Sequence, residues 1–84
     1  MTPSAARQFR KLPPDEKDRV RRRIDRLGND PRPAGCEKIV GADSLWRVRV
    51  GDYRIVYEVH DDVLVVIVVL IGNRRDVYDA LRNL

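Results

Sequence analysis

The residues with chemistry to offer are arginines set into an apolar stretch near the end of the chain. Between Leu45 and Tyr78, the cations Arg47, Arg49, Arg54, Arg74 and Arg75 interrupt runs of Val, Ile and Tyr, and the stretch closes on Tyr78. A guanidinium is planar, permanently charged and forked, so it binds phosphate bidentately and stabilises negative charge developing on it. Several guanidiniums with one phenol and no carboxylate partner among them suit a polyanion. Other reactive residue types are less well placed. His60 reads as a solvated turn histidine, far along its hairpin from the arginines. Cys36 is the only cysteine and has no adjacent base, so neither a disulfide nor a zinc cluster is expected. Asp61 and Asp62 are neighbours on a turn and point apart, which is poor geometry for a metal pair. Asp15, Glu16 and Asp18 are explained by the start of a helix, where negative charge is favourable.

What positions the arginines is a period-two pattern beginning at Leu45. Trp46, Val48 and Val50 alternate with Arg47 and Arg49, as in a strand with one buried face. Gly51-Asp52 is a two-residue turn with Gly first, as a type II′ hairpin needs. Val50 then faces Tyr53, Arg49 faces Arg54 and Arg47 faces Val56. The three arginines share one face. Trp46, Val48, Val50, Tyr53, Ile55, Tyr57 and Val59 share the other, and a one-residue slip would bury the charges. Opposed like charges are destabilising, and such local conflicts concentrate at functional sites. With Asp61-Asp62 as the next turn, His60 faces Val63, Glu58 faces Val65 and Tyr53 faces Leu70. Val63–Ile71 is apolar on both faces, as in a covered central strand. This register carries Asn73, Arg74 and Arg75 toward Arg54, and Tyr78 folds back over the same edge.

The sheet needs a cover, and the N-terminal half supplies one. Thr2 and Pro3 read as N-cap and first helical residue, with Ala5, Phe9 and Leu12 as an apolar stripe ended at Pro13-Pro14. A second helix starts at Pro14. It carries Val20, Ile24 and Leu27 as its stripe, Asp15/Arg19 and Asp18/Arg22 as favourable pairs, and Gly28 as C-cap. Arg22, Arg23 and Arg26 lie near its negative end. Asn29–Gly35 is a loop by composition, Cys36–Ser44 is expected to be irregular, and Val77–Leu84 is a short C-terminal helix with Asp76 as its cap.

At 84 residues the chain is read as one domain, residues 1–84, with a modest core. Seventeen basic residues outnumber thirteen acidic ones, giving a net charge of +4. Lysine occurs only at Lys11, Lys17 and Lys38, and a bias to Arg favours a phosphate partner. No apolar run reaches the roughly 20 residues needed to span a bilayer, and Met1 is followed by polar and helix-forming residues, so a cytoplasmic protein without a leader is expected.

Taken together, the opening TPSAARQFRKLP, the hairpin WRVRVGDYRIVYEV and the closing VLIGNRRDVY resemble the RelE-like branch of the RelE/ParE superfamily, the toxins of type II toxin–antitoxin systems. The resemblance covers nearly the whole chain. It implies an α+β fold, with two N-terminal helices packed on a small antiparallel sheet of three to four strands and a short C-terminal helix. It also implies a ribosome-dependent mRNA endoribonuclease that needs no metal or cofactor. In such an enzyme the ribose 2′-hydroxyl attacks the adjacent phosphodiester in the ribosomal A site and leaves a 2′,3′-cyclic phosphate. The implied partners are mRNA on the ribosome and a cognate antitoxin, in a toxin–antitoxin hetero-oligomer. The family's functional positions fall on Arg47, Arg49, Arg54, Arg74 and Tyr78, with Arg75 a weaker neighbour.

Two departures qualify these roles. Family members carry lysines where this chain has Arg47 and Arg49. Arg stays protonated, so Arg47 and Arg49 become phosphate binders, and Tyr78, its pKa lowered by surrounding cations, becomes the base. Family members also have a strand ahead of TPSAAR, where this sequence begins. A sheet of three strands would expose the backbone of Val63–Ile71 to a partner strand. Two other readings stay open: a ParE-like inhibitor of DNA gyrase on the same fold, and a non-catalytic interaction module.

Overall fold

In a computed structural model the described residues are 1–39, 41, 44–62 and 65–73, without the side chains of Val65 and Leu70. The expected C-terminal helix Val77–Leu84 lies outside them.

Helix α1 spans Pro3–Arg10 and starts as its sequence requires. Thr2 is extended, and its side chain accepts from the Ala5 N–H, filling one of the donors a helix start leaves open. Helix α2 spans Pro14–Asn29. It runs through Gly28, the expected C-cap, and is capped by Asp30, whose N–H donates to the Arg26 carbonyl. Asp18 pairs with Arg22 as expected and with Arg21 at 2.9 Å, while Arg19 pairs with Glu16 at 3.6 Å in place of Asp15.

Four antiparallel strands follow in the order β1-β2-β3-β4: β1 Glu37–Lys38, β2 Leu45–Val50, β3 Tyr53–His60 and β4 Val65–Asn73. The fold is thus α+β as expected, and its fourth strand, β1, comes from the segment read as irregular. Two residues are too few to show a period, which is why the pattern at Glu37–Lys38 is silent.

The β2–β3 register agrees with the sequence reading: Val50 opposes Tyr53, Arg49 opposes Arg54 and Arg47 opposes Val56. Gly51, at φ +58°, supplies the positive dihedral that the two-residue turn demands. The β3–β4 register does not agree. His60 opposes Val65 in place of Val63, Glu58 opposes Ile67 and Tyr53 opposes Asn73. The turn is longer than Asp61-Asp62. Val69 is an extra residue between the Tyr57–Val68 and Val56–Leu70 pairs, a bulge that shifts the register once more.

The strand read as central, β4, is an edge of the described sheet. Its outer side is not bare, because the start of α1 bonds to it. The Thr2 N–H donates to the Val68 carbonyl at 2.9 Å, the Thr2 hydroxyl to the Val69 carbonyl at 3.1 Å, and the Ile71 N–H donates to Gln8 Oε1 at 2.7 Å. A short helix thereby blunts an edge that would otherwise be open to pairing.

Both helices lie on one face of the sheet. Ala5, Leu12, Val20 and Leu27 meet Val48, Val50, Ile55, Tyr57, Val59, Val68 and Ile71 in one core, with Trp46 and Tyr53 packed at its margin. The Tyr57 hydroxyl donates to the Pro31 carbonyl at 2.7 Å and ties the α2–β1 loop to the sheet. Among the described residues no helix is long and apolar enough to cross a membrane.

Candidate active site

The outer face of the sheet carries Arg47, Arg49 and Arg54, because their neighbours Val48, Val50 and Ile55 all point into the core. Arg49 is exposed and Arg54 half-buried, and the two stand directly opposite each other on β2 and β3. The Arg54 guanidinium turns back to donate to the Tyr53 carbonyl at 3.3 Å. This contact uses part of its donor set and anchors the side chain near the strand end. Val56 lies on the same outer face and is nonetheless fully buried. The face is therefore apolar at Val56 and cationic toward the β2–β3 turn.

Arg47 differs from the sequence expectation of a cationic face without a carboxylate. Glu37 on β1 opposes it across the ladder and accepts from Arg47 at 2.7 Å. The Arg47 guanidinium holds the Glu37 carboxyl below its ordinary range, with a smaller contribution from the charge of Arg54. The carboxylate is 65% exposed, so the pair is screened by water and open to exchange with another anion. Sequence reasoning missed Glu37 because its strand was not visible. Its charge and position carry no signal until β1 is set beside β2.

Arg74, Arg75 and Tyr78 lie outside the described residues. The corrected register nevertheless fixes where the described part of β4 ends. Asn73, the last residue of β4, opposes Tyr53, and Gly72 opposes Arg54. The described end of β4 thus stands at the end of the sheet that carries Arg49 and Arg54.

His60, Asp61 and Arg32 near the sheet are each partnered. His60 Nε2 is 2.8 Å from Glu58 Oε2 at the far end of β3, so it is partnered rather than simply solvated. Asp61 takes both arms of Arg32, at 3.1 and 2.5 Å, which holds its carboxyl below the ordinary range. The Arg32 guanidinium also lies over the Trp46 ring, 5.3 Å from its centre. Among the described residues no group of three or more His, Cys, Asp or Glu is arranged to hold a metal.

Among the described residues the outer face carries Arg47, Arg49 and Arg54, with Glu37 an exposed partner of Arg47 and Glu58 paired with His60, an arrangement suited to binding a phosphodiester. Comparison with known proteins adds an outline. A family model for the ParE toxin of type II toxin–antitoxin systems, parDE, matches residues 1–78. No curated protein sequence matches the chain. A chain of the RelB–RelE antitoxin–toxin complex from Methanococcus jannaschii superposes with a TM-score of 0.75 at 24% identity, covering 94% of this chain and 94% of that one. A chain of the intact Escherichia coli RelBE toxin–antitoxin complex gives 0.74 at 26% identity, over 84% of this chain and 88% of the other. The isolated Escherichia coli RelE toxin gives 0.72 at 23% identity, over 95% and 90%.

Proposed function

The chain belongs to the ParE toxin family of type II toxin–antitoxin systems, and from that premise we propose that it is a RelE-like toxin that cuts mRNA on the ribosome and is held inactive by a cognate antitoxin. The observation that carries the reading is the cross-strand pair of Arg49 and Arg54 on the sheet face turned away from the helices. Two guanidiniums set opposite each other repel in the free protein, and a bound phosphate relieves that repulsion. The likeness to a chain of the Escherichia coli RelBE toxin–antitoxin complex supports the RelE-like branch and the antitoxin.

In the proposed reaction the ribose 2′-oxygen forms a bond to phosphorus and the bond to the 5′-oxygen breaks, leaving a 2′,3′-cyclic phosphate and a 5′-hydroxyl. Tyr78 takes the 2′-hydroxyl proton. Arg49 and Arg54 hold the non-bridging oxygens, and Arg74 stabilises the phosphorane and hydrogen-bonds the leaving 5′-oxygen, which takes its proton from water. Arg47 releases Glu37 to join them, exchanging a solvated carboxylate for the substrate phosphate. The test is expression without an antitoxin, with RNA 5′ ends mapped on translating ribosomes. Wild type should give codon-phased breaks that disappear in Arg54→Ala and Tyr78→Phe.

A second reading follows from the family model itself, whose description is that of the ParE toxin. On that reading the arginine face contacts a protein target, DNA gyrase, and no RNA is cut. Supercoiling by gyrase in the presence of the purified chain separates the two: the nuclease reading expects no inhibition, and the ParE reading expects loss of supercoiling with intact mRNA.

A further inference from the structure

A second group of arginines stands apart from the sheet face. The C-terminal half of α2 and the β2–β3 turn enclose an open cleft of about 430 Å³ lined by Arg19, Arg22, Arg23, Arg26, Arg49, Val50 and Gly51. The four helical arginines recur at intervals of three and four residues, so they form a single row along one side of α2. With a rise of 1.5 Å per residue, the row from Arg19 to Arg26 runs about 10 Å along the helix, long enough to face more than one phosphate of a strand.

The local chemistry is one-sided. Every charged side chain lining the cleft is an arginine. Arg19 and Arg22 are paired from outside it, by Glu16 and Asp18. Arg23, Arg26 and Arg49 have no ion-pair partner among the described residues, and the Arg23 Nε is buried without a hydrogen-bond partner there. Five guanidiniums within one cleft repel one another, and α2 holds four of them in that row without a compensating carboxylate inside it. Gly51 permits the arrangement. A Cβ on Gly51 would sit 3.2 Å from Arg19 Nη2, so the turn backbone is used as a wall against which the Arg19 guanidinium lies.

We propose that this cleft is a backbone-binding site for RNA that adjoins the cleavage site at Arg49, in which the α2 arginines hold consecutive phosphates of a strand. RNA as the polyanion rests on the function proposed above. The cleft itself favours a phosphate chain over an acidic peptide. Its lining offers only Val50 as an apolar surface, whereas peptide docking sites depend on buried apolar anchors, and forked donors in a row match phosphates spaced along a strand. Arg49 belongs to both sites. A strand bound in the cleft is thereby led over the β2–β3 turn toward Arg54.

The test is binding of a fluorescein-labelled 20-nucleotide oligouridylate to the full chain, read by anisotropy across a salt series. Arg23→Gln/Arg26→Gln should lower the slope of log K against log salt by about 1.4, corresponding to two lost phosphate contacts at about 0.7 each, and weaken binding on the order of tenfold at 0.1 M salt. Arg26→Gln alone, at an exposed position, should give about half that loss of slope and guards against misfolding of the double variant. Arg7→Gln/Arg10→Gln on α1, which removes the same charge elsewhere, should leave the slope within a few tenths of wild type. An unchanged slope in both cleft variants, or an equal loss in the α1 control, overturns the proposal. So does oligoglutamate binding that falls in the cleft variants while oligouridylate binding stays. Codon-phased cleavage is read separately, so its absence would refute the nuclease and leave the binding result to decide the cleft.

Discussion

Replacing Tyr57 with Phe removes one hydroxyl from the inner face of the sheet and leaves the ring to fill the same space. Tyr57 is fully buried, and its hydroxyl donates to the Pro31 carbonyl at 2.7 Å. The variant leaves that carbonyl without its donor, so it should be less stable by about 1–2 kcal/mol at pH 7. The same burial, with the Cys36 thiol nearby, pushes the phenol up from 10.0 to about 12. A raised pKa means that folding stabilises the neutral phenol. Its contribution is whole below pH 10 and is lost as pH rises from 10 through 12. At pH 11 the wild type should have given up about 1.4 kcal/mol that Tyr57→Phe never had. Urea unfolding followed by the fluorescence of Trp46, the only tryptophan, at pH 7, 9 and 11 gives both quantities. The gap between wild type and variant should be constant from pH 7 to 9 and narrow by about 1.4 kcal/mol at pH 11. A gap that does not change with pH, or no gap at pH 7, would refute the reasoning.

Other outcomes follow from the same geometry. Glu37→Gln removes the carboxylate paired with Arg47, so oligouridylate should bind more tightly with a steeper salt dependence. In the wild type the same release should occur as acid protonates Glu37, and since its pKa is lowered by Arg47 the pairing persists to below the ordinary carboxylate range before it is lost. Gly51→Ala places a side chain at φ +58° and should cost about 1–2 kcal/mol, lowering Tm by some 4–8 °C per kcal/mol in a calorimetric scan, with Gly51→Asn milder. Leu27→Ala opens a cavity where α2 meets the sheet and should destabilise by about 2–5 kcal/mol in urea unfolding.

Much of this fold was legible where a period was long enough to read. The alternation from Trp46 to Val59 set the β2–β3 register and placed Arg49 opposite Arg54, because one buried face and one Gly-first turn leave a single solution. Where the apolar residues lose alternation, the register was lost too. In β4 nearly every residue is Val, Ile or Leu, so neither the longer turn nor the bulge at Val69 leaves a trace in the pattern. The edge position of β4 was hidden for a related reason: the groups that close it, Thr2 and Gln8, come from a helix rather than a strand. At the site, the sheet arginines were visible but their neighbour Glu37 was not. The α2 arginines are visible in the sequence but read there as partners of the helix dipole and of Asp15 and Asp18, although their spacing already puts them in one row.

The central claim is that this toxin cuts mRNA, and the direct measurement is a map of RNA 5′ ends from ribosomes translating while the chain is expressed without an antitoxin. The expected result is breaks in phase with codons in the A site, carrying 5′-hydroxyl ends and lost in Arg54→Ala. Intact mRNA in cells arrested by the wild-type chain, with gyrase supercoiling inhibited by the same protein, would contradict it.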